Sequence, residues 1–423
     1  MDEARDVAGE KRLMRRFFVI WGAQACSLVG SALVQFALVW WLTLETGSAS
    51  VLAFAMMMAI IPQVVLGPFA GALVDRWNRR HVMIWADASV ALATVALIAL
   101  FASGLVEIWH IYAALLVRSS GGAFHWPAMA ASTTLMVPKR HLARIGGLNE
   151  AVYGGVSVAA PALGAVLILA LPMWAVLSVD VVTAAVAISP LLFVRIPQPA
   201  RAHALGSAAR SVIGDMRDGL RFIISWKGSL ALMTMAMLIN LLFSPAMALV
   251  PLLVSSYFGK GVVEFATMEM AGGVATLIGG LALGVWGGFK RKIVTVLVSG
   301  IISGVGMTVV GIVPPDAFVI AVVGVFVCAF MLSFVNGSVR AIMQSSIPPE
   351  KQGRVFGLLG SLSMMMSPVG LAVAGPLADM LGVQVWFAIA GVGLSAVMAA
   401  GFLIPSLMHI EDVTFEKVQV EEK

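Results

Sequence analysis

The sequence predicts an all-α protein that crosses a membrane twelve times, and its composition, its apolar runs and an internal repeat support this fold class. Hydrophobic residues make up 60% of the 423 residues and charged residues only 12%, whereas soluble proteins are about half apolar and a quarter charged. Apolar runs of about 20 residues, the length that spans a bilayer, follow one another along the chain. With a mean hydropathy of +0.98, the chain leaves no segment for a soluble enzyme domain.

The apolar runs place twelve membrane spans. They cover residues 17–43, 50–73, 81–102, 108–130, 145–170, 173–193, 229–255, 265–287, 293–313, 317–338, 355–378 and 383–406. The first span is too long for a cleaved signal peptide and lacks a small-residue cleavage site, so we expect it to remain in the protein. Both cysteines, Cys26 and Cys328, fall inside spans, which favours buried free thiols over a disulfide framework.

Positive charges alternate from loop to loop. Lysine and arginine cluster before the first span and after the second, fourth, sixth, eighth and tenth spans. The opposite loops carry few charges, among them Glu45, Glu107, Asp316 and Asp379. Because lysine and arginine accumulate on the cytoplasmic side, we expect both termini in the cytoplasm and a location in the cell (inner or plasma) membrane. The net charge of +5 therefore indicates loop orientation and not a nucleic-acid partner.

Two patterns recur about half the chain length apart. Glycines at four-residue spacing before a basic cluster occur at residues 67–80 and again at residues 280–292. A proline followed by basic residues and glycine occurs at residues 137–147 and again at residues 347–357. These matches indicate two parallel six-helix pseudo-repeats. The predicted domains are a six-helix bundle at 1–193, a linker with a surface amphipathic helix at 194–228, a second six-helix bundle at 229–406, and a cytoplasmic tail at 407–423.

The segment from Gly67 to Arg80 ends the second span with two glycines on one helix face, followed by an acid among arginines. Glycines four apart let a neighbouring helix approach closely, and such dense charge is typical of a short cytoplasmic turn. The segment resembles the signature loop of the major facilitator superfamily, which implies a secondary transporter. The resemblance also implies a cytoplasmic gate, in which Asp75 faces the start of the eleventh helix, where the helix dipole favours negative charge. The gate residues are Gly67, Gly71, Asp75, Arg76, Arg79, Arg80 and Arg354.

Arg118 lies in the middle of the fourth span, where a charge is costly and indicates function. Gly121, Gly122 and His125 follow on the same helix face. The segment resembles the superfamily's fourth-helix motif, which is associated with proton coupling. A fixed cation favours the ionised form of a neighbouring carboxylate and is released when that carboxylate binds a proton. The alternatives are an arginine that pairs only with backbone carbonyls, and a packing role for His125.

Four carboxylates inside spans could meet Arg118: Asp87, Glu150, Asp180 and Glu269. Glu269 is the preferred proton carrier, because its helix lines the central cavity in this fold and no basic residue is near it in sequence. The alternative for Glu269 is a carboxylate in water at the outer interface. We expect Asp180 to form a structural pair, and Asp87 and Glu150 to lie near the cytoplasmic interface. The sequence leaves open which carboxylate meets Arg118.

The fifth span contains Pro161 and Gly164 among small residues. This segment resembles the antiporter motif of the superfamily's drug/proton exporters, except that Ala160 and Ala165 stand where glycines are usual. Small residues permit close helix packing, and proline permits a kink. The alternative interpretation is ordinary helix packing without a role in antiport.

The resemblance implies a central cavity among the first, fourth, seventh and tenth helices. Its candidate lining residues are Gln35, Phe36, Arg118, Asn240, Phe243 and Asn336, with nearby methionines that suit varied apolar ligands. Few hydrogen-bonding groups beside much apolar surface favour bulky amphipathic molecules over sugars or amino acids. The sequence contains no nucleotide-binding motif, metal-ligand cluster or nucleophile–base pair, so we expect no enzyme activity, no catalytic residue and no cofactor.

The chain resembles the macrolide-efflux branch of the superfamily along its whole length, for example at Glu45-Thr-Gly47-Ser48 and Val194-Arg195-Ile196-Pro197. That resemblance implies proton-driven export of macrolides or other amphipathic drugs, with alternating access. Two alternatives stay open: an exporter of a lipid or siderophore, and a non-transporting membrane sensor. The expected partners are a small amphipathic substrate, protons and membrane lipids, with no nucleic acid, and the protein is expected to be a monomer.

Overall fold

The structure, a computed structural model, describes residues 2–74, 76–198, 226–347 and 349–412, and the side chains of all of these except residues 2–9, 11, 72 and 349–358. The described residues form twelve long helices and no strand. The helices are α1 (Asp2–Thr46), α2 (Ala49–Val74), α3 (Arg79–Ser103), α4 (Ile108–Met136), α5 (Leu142–Ala170), α6 (Met173–Phe193), α7 (Lys227–Ala248), α8 (Val262–Trp286), α9 (Lys292–Ile312), α10 (Phe318–Ser346), α11 (Pro349–Leu381) and α12 (Val383–Gly401).

Each long helix coincides with one predicted span. Eleven of the described helices are long and apolar enough to cross a membrane. The exception is α4, which is 29 residues long but carries Arg118 and two histidines. Several helices extend past their predicted spans, and α1 already begins at Asp2. Hydropathy marks the part of a helix that suits lipid, whereas the backbone hydrogen-bond ladder continues into the polar flanks.

The seventh predicted span, residues 229–255, was wrong as one continuous helix. In the structure, α7 ends at Ala248, and a short helical turn, Val250–Leu252, and a π-helical turn, Leu253–Tyr257, follow it. Pro251 lies at the start of the short turn. Proline has no N–H to donate and its ring clashes with the preceding turn, which favours an interruption here, although α2 continues through Pro62 and Pro68.

The chain divides into two compact units. The first unit comprises residues 1–41 and 58–209, and the second comprises residues 42–57 and 210–423. The end of α1 and the start of α2 therefore belong with the second unit, a placement that the sequence does not indicate. The predicted amphipathic helix of the linker, near residues 209–224, and the tail from residue 413 lie outside the described residues. The predicted domain boundaries stay predictions.

In the first unit, α3 packs against α4 and α6. At one end of this unit, apolar side chains from six helices form a buried cluster. The cluster comprises Phe17, Ile20, Val74, Val82, Met83, Ala128, Met136, Val137, Ile145, Leu191 and Ile196. Because the helices are joined by this core, polar residues further along α1, α3, α4 and α6 are brought face to face.

In the second unit, α9 packs against α10 and α12 and is the most buried of the eleven apolar helices. A Cβ atom placed on Gly306 of α9 would lie 2.8 Å from the carbonyl oxygen of Gly324 on α10. Only glycine permits this approach of two helix backbones, as is common between membrane helices.

Candidate functional site

A buried ion pair lies inside the first unit. Arg118 on α4 pairs through Nη1 with Oδ2 of Asp180 on α6, and the two side chains are 9% and 0% exposed. Arg118 also donates from Nη1 to Thr94 Oγ1 (2.9 Å) and from Nη2 to the carbonyl oxygen of Ser31 (3.2 Å). Asp180 is therefore the carboxylate that meets Arg118, which answers the question that the sequence left open.

Hydroxyl groups complete the surroundings of Asp180. Ser31 Oγ donates to Asp180 Oδ1 (2.8 Å), and Thr94 Oγ1 donates to Asp180 Oδ2 (2.8 Å). Both carboxylate oxygens thus accept hydrogen bonds, which offsets the cost of removing the charge from water. We call Ser31, Thr94, Arg118 and Asp180 the Arg118 layer; it joins α1, α3, α4 and α6.

A second polar cluster lies on the same helices. Asp87 Oδ2 on α3 accepts a hydrogen bond from Gln24 Nε2 on α1 (2.9 Å). Asp87 Oδ1 lies 3.4 Å from His125 Nε2 on α4, and the side chains of His125 and Asp87 are 22% and 12% exposed. We call Gln24, Asp87 and His125 the Asp87 layer.

The two layers repeat at an interval of seven residues. Gln24 and Ser31 on α1, Asp87 and Thr94 on α3, and His125 and Arg118 on α4 are each seven positions apart. Seven residues are about two turns, so each pair lies on one helix face with a rise of about 10 Å between its members. α4 is antiparallel to α1 and α3, so the order of its two residues along the chain is reversed. Gln24, Asp87 and His125 therefore lie in one layer, and Ser31, Thr94 and Arg118 lie in the other.

The other predicted carboxylates lie elsewhere. Glu269 is on α8 of the second unit, is partly exposed, and has no hydrogen-bond or ion-pair partner among the described side chains. Glu150 is exposed on α5, one turn from Tyr153, with which it interacts electrostatically. Neither of them is a partner of the Arg118 layer in the structure.

The arginines of the signature segment hold helix ends inside the first unit. Arg80 Nη2 donates to the carbonyl oxygen of Leu192 in the last turn of α6 (2.6 Å), and Arg79, which is buried, donates to the carbonyl oxygen of Ala131 on α4 (3.4 Å). Arg80 thereby satisfies a carbonyl group in the last turn of α6, while Arg79 contacts α4 five residues before its end. Arg76 is exposed.

The remaining gate residues are Asp75, Arg354, Gly67 and Gly71. Asp75 and the side chain of Arg354 lie outside the described residues. Gly67 and Gly71 permit a close helix approach; no described atom lies within 4 Å of a Cβ placed on either glycine, and their role in the gate stays a prediction.

The fifth-helix motif packs against α1. Pro161 and Gly164 are buried, and a Cβ on Gly164 would lie 2.6 Å from Cδ1 of Phe36. Phe36, a candidate cavity residue, is itself buried at 7% exposure. The missing side chain at Gly164 therefore leaves the space that the Phe36 ring occupies.

The other candidate cavity residues are distributed over both units. Gln35 is partly buried on α1, while Asn240 and Phe243 are partly buried on α7 and Asn336 is exposed on α10. Asn240 Nδ2 donates to the carbonyl oxygen of Ala236 on its own helix (2.9 Å). A common cavity formed by these residues stays a prediction.

One polar contact was missed by the sequence reasoning, which placed Asp379 in a loop. Asp379 lies in the last turn of α11 and accepts hydrogen bonds from the backbone N–H groups of Ala49 (2.6 Å) and Ser50 (3.0 Å) and from Ser48 Oγ (3.1 Å). A carboxylate at a helix N-terminus satisfies unpaired N–H groups and the helix dipole. Asp379 therefore caps α2 within the second unit. In the sequence, this cap is indicated only by the serines beside the start of α2, Ser48 and Ser50.

A known protein family matches the chain from α1 to α11. The family model of the Major Facilitator Superfamily matches residues 20–371. The chain belongs to this superfamily. It is therefore a multi-pass membrane transport protein and not an enzyme, and the predicted twelve-helix fold with two six-helix pseudo-repeats is confirmed.

Two relatives are similar over most of their length. Macrolide efflux protein A of Streptococcus pyogenes is 34% identical over 380 residues, which are 89% of this chain and 92% of that protein. Multidrug efflux pump Tap of Mycolicibacterium fortuitum is 27% identical over 403 residues, 90% of this chain and 94% of that protein. A solved structure of a POT family transporter in complex with 5-aminolevulinic acid has a TM-score of 0.72 at 10% identity and covers 93% of this chain and 96% of that one. This last likeness concerns the superfamily fold alone.

Proposed function

We propose that this chain exports bulky amphipathic compounds of the macrolide kind across a cell membrane in exchange for protons. The observation that carries the proposal is the 34% identity to Macrolide efflux protein A over 89% of the chain. The similarity to a multidrug efflux pump supports the same class of substrate. Export from the cytoplasm fits the predicted orientation, with both termini on the cytoplasmic side.

The energy source follows from the chemistry of the chain. Its sequence has no nucleotide-binding motif, so uphill export requires an ion gradient. Arg118 and Asp180 form a buried charge pair within a helix bundle, and buried ionisable groups in membrane helices mark proton pathways in transporters. We propose that the proton is exchanged by ionisable side chains close to this fixed charge pair in the first unit, with Glu269 and Glu150 as the alternatives.

Substrate selection is proposed for a cavity that includes Gln35, Phe36, Asn240, Phe243 and Asn336. Aromatic rings and amide groups supply much apolar surface with few fixed polar partners, which suits large amphipathic molecules. A micromolar dissociation constant, about 8 kcal/mol, would allow release on the far side of the membrane. Alternating access of a monomer, closed on the cytoplasmic side by Asp75 and the start of α11, completes the proposal.

Drug-susceptibility measurements on cells that express the full chain test the function. We expect lower susceptibility to macrolides, loss of efflux when an uncoupler collapses the proton gradient, and retained efflux when ATP is depleted with the gradient clamped. Unchanged susceptibility to every amphipathic drug, with counterflow of a lipid or siderophore in proteoliposomes, would replace the proposal by the alternative exporter. No counterflow of any of these compounds would favour a membrane sensor.

A further inference from the structure

We propose that Asp87 and His125, held by Gln24, form a proton-binding site that supplies the coupling of the proposed exporter. The site is separate from the Arg118–Asp180 pair and lies about two helical turns from it. This inference rests on the proposed proton antiport and names the atoms at which the proton is held: His125 Nε2 and Asp87 Oδ1. Three observations carry it: the contact between these atoms, the partial exposure of the two side chains, and the spacing of the two polar layers.

The contact is poised for one proton. His125 Nε2 is 3.4 Å from Asp87 Oδ1, and this buried nitrogen makes no hydrogen bond within the described residues. In the neutral imidazole only one ring nitrogen carries a proton, and Nε2 faces Asp87 as an acceptor when that proton is on Nδ1. In the imidazolium both ring nitrogens are donors, so binding one proton makes Nε2 the donor of a charge-assisted hydrogen bond to Asp87 Oδ1, which is shorter and stronger than a neutral one.

The Asp87 layer is less enclosed by protein atoms than the Arg118 layer. The side chains of His125 and Asp87 are 22% and 12% exposed, while Asp180 is completely buried and all its acceptor groups are occupied. A coupling proton must reach water in at least one state of the transporter. The partly exposed pair is better placed to meet this requirement than the enclosed, fully hydrogen-bonded pair, which is suited to a permanent charge.

The charges around Asp87 are distributed over three neighbouring helices. On α1, Gln24 is neutral and donates to Asp87 Oδ2 (2.9 Å). On α4, His125 faces Asp87 directly, and Arg118 lies two turns away, paired with Asp180 of α6. Asp180 interacts with Asp87 electrostatically as a like charge. No fixed cation is therefore paired with Asp87 among the described residues, and its charge is compensated only when His125 is protonated.

The site binds and releases one proton in each transport cycle. Without the proton, the carboxylate of Asp87 and the neutral imidazole of His125 carry a net charge of about −1. One proton from water binds to the imidazole of His125, the imidazolium donates from Nε2 to Asp87 Oδ1, and the pair becomes neutral. Release returns the proton to water on the other side of the membrane. No bond between heavier atoms forms or breaks.

Occupancy of the site is transmitted to the Arg118 layer by charge. When the Asp87 layer is negative, it repels the carboxylate of Asp180. The two carboxylates are linked through α3, which carries both Asp87 and Thr94, the hydrogen-bond donor to Asp180 Oδ2. When the proton neutralises the Asp87 layer, this repulsion ends. The seven-residue interval keeps both layers on the same faces of α1, α3 and α4, so a shift of one helix moves members of both layers together.

Transport by the purified full chain in proteoliposomes of phosphatidylethanolamine and phosphatidylglycerol tests the site. The probe is radiolabelled erythromycin, a macrolide. Two rates are measured for each variant: exchange without a gradient, and uphill accumulation driven by a pH gradient. The variants are Asp87→Asn, which can keep the Gln24 hydrogen bond, His125→Gln, and the double variant. Matched controls are Asp316→Asn and His81→Gln, which change exposed residues of the same types.

We expect both single variants to keep exchange within about twofold of the wild type and to lose at least about tenfold in gradient-driven accumulation. The double variant should lose no more than either single variant, because the two residues act as one unit. Proton release on erythromycin binding, followed with a pH indicator in weakly buffered detergent solution, should fall in the same variants. Asp87→Glu should restore accumulation with a shifted pH profile, which a purely structural role would not produce.

The outcomes separate this inference from the proposed function. Gradient-driven accumulation at the wild-type level in Asp87→Asn and His125→Gln overturns the site but leaves proton antiport intact. If accumulation by the wild-type protein does not respond to the pH gradient, proton antiport and the site are both overturned. Equal loss of exchange and accumulation in variants that elute as folded monomers assigns the pair to helix packing and also overturns the proposal.

Discussion

The ion pair between Arg118 and Asp180 leads to a prediction about stability. Replacing Asp180 by leucine leaves the guanidinium of Arg118, only 9% exposed, without its counter-charge. Removing one partner of a buried ion pair costs about 3–5 kcal/mol, or roughly a factor of 10² to 10⁴ in the unfolding equilibrium. Arg118→Met, which leaves the carboxylate of Asp180 with only two hydroxyl donors, should cost a similar amount.

The double variant Arg118→Met/Asp180→Leu should be more stable than either single variant. A well-packed apolar pair replaces a buried ion pair at little cost or with a gain. The hydroxyl groups of Ser31 and Thr94 lose their acceptor, but Thr94 Oγ1 is already 3.0 Å from the carbonyl oxygen of Val90 on its own helix. We expect a net cost of about 1 kcal/mol for each displaced hydroxyl, which stays below the cost of one unpaired charge.

Unfolding in detergent micelles by titration with a denaturing detergent measures these free energies. The exposed pair Arg140–Glu10, at 2.5 Å with side chains 67% and 41% exposed, is the matched control and should couple by about 1 kcal/mol or less. If the double variant costs as much as the sum of the two single variants, Arg118 and Asp180 act independently, and the reasoning from their buried contact is refuted.

Three further predictions follow from other contacts. Gly164→Val should lower the unfolding free energy by about 1–3 kcal/mol through overpacking, and a second change, Phe36→Ala, should recover part of this loss; equal thermal midpoints for all three proteins would contradict the close packing. Asp379→Asn should weaken the cap of α2 by about 1 kcal/mol and raise deuterium exchange at the Ala49 amide, whereas unchanged exchange would argue against the cap. Glu269→Gln should retain gradient-driven erythromycin accumulation within about twofold of the wild type if the Asp87 layer carries the proton; its loss would return the carrier role to Glu269.

The positions of the helices could be predicted from the sequence because each span is a local property. About 20 apolar residues are needed wherever a helix crosses a bilayer, so the apolar runs located the helices, although α4 is less apolar than the other eleven described helices. The break after Ala248 was harder to predict from the sequence, since proline is tolerated in many membrane helices. The role of Gly67 and Gly71 in the gate stays a prediction, because small residues show only where a neighbour could approach.

The candidate site could be predicted only in part. Arg118 was recognisable because a charge in the middle of a span is costly, and the acidic candidates were found for the same reason. The importance of His125 and Asp87 as a pair was not recognised, although the seven-residue intervals that relate them to Arg118 and Thr94 are present in the sequence. Identifying the intervals requires knowing which three helices pack together, and hydropathy carries no such information.

By itself, the sequence determined that this protein is a helical membrane transporter with two six-helix pseudo-repeats, because these properties depend on composition, local periodicity and recurring motifs. Only the tertiary structure decided that Asp180 is the partner of Arg118, that His125 faces Asp87, and that Asp379 caps α2. These partners are far apart in sequence, by 62 residues for Arg118 and Asp180 and by 330 for Ala49 and Asp379. Whether such residues meet depends on the rotation of each helix about its own axis, and helices that are apolar on nearly every face leave that rotation to packing.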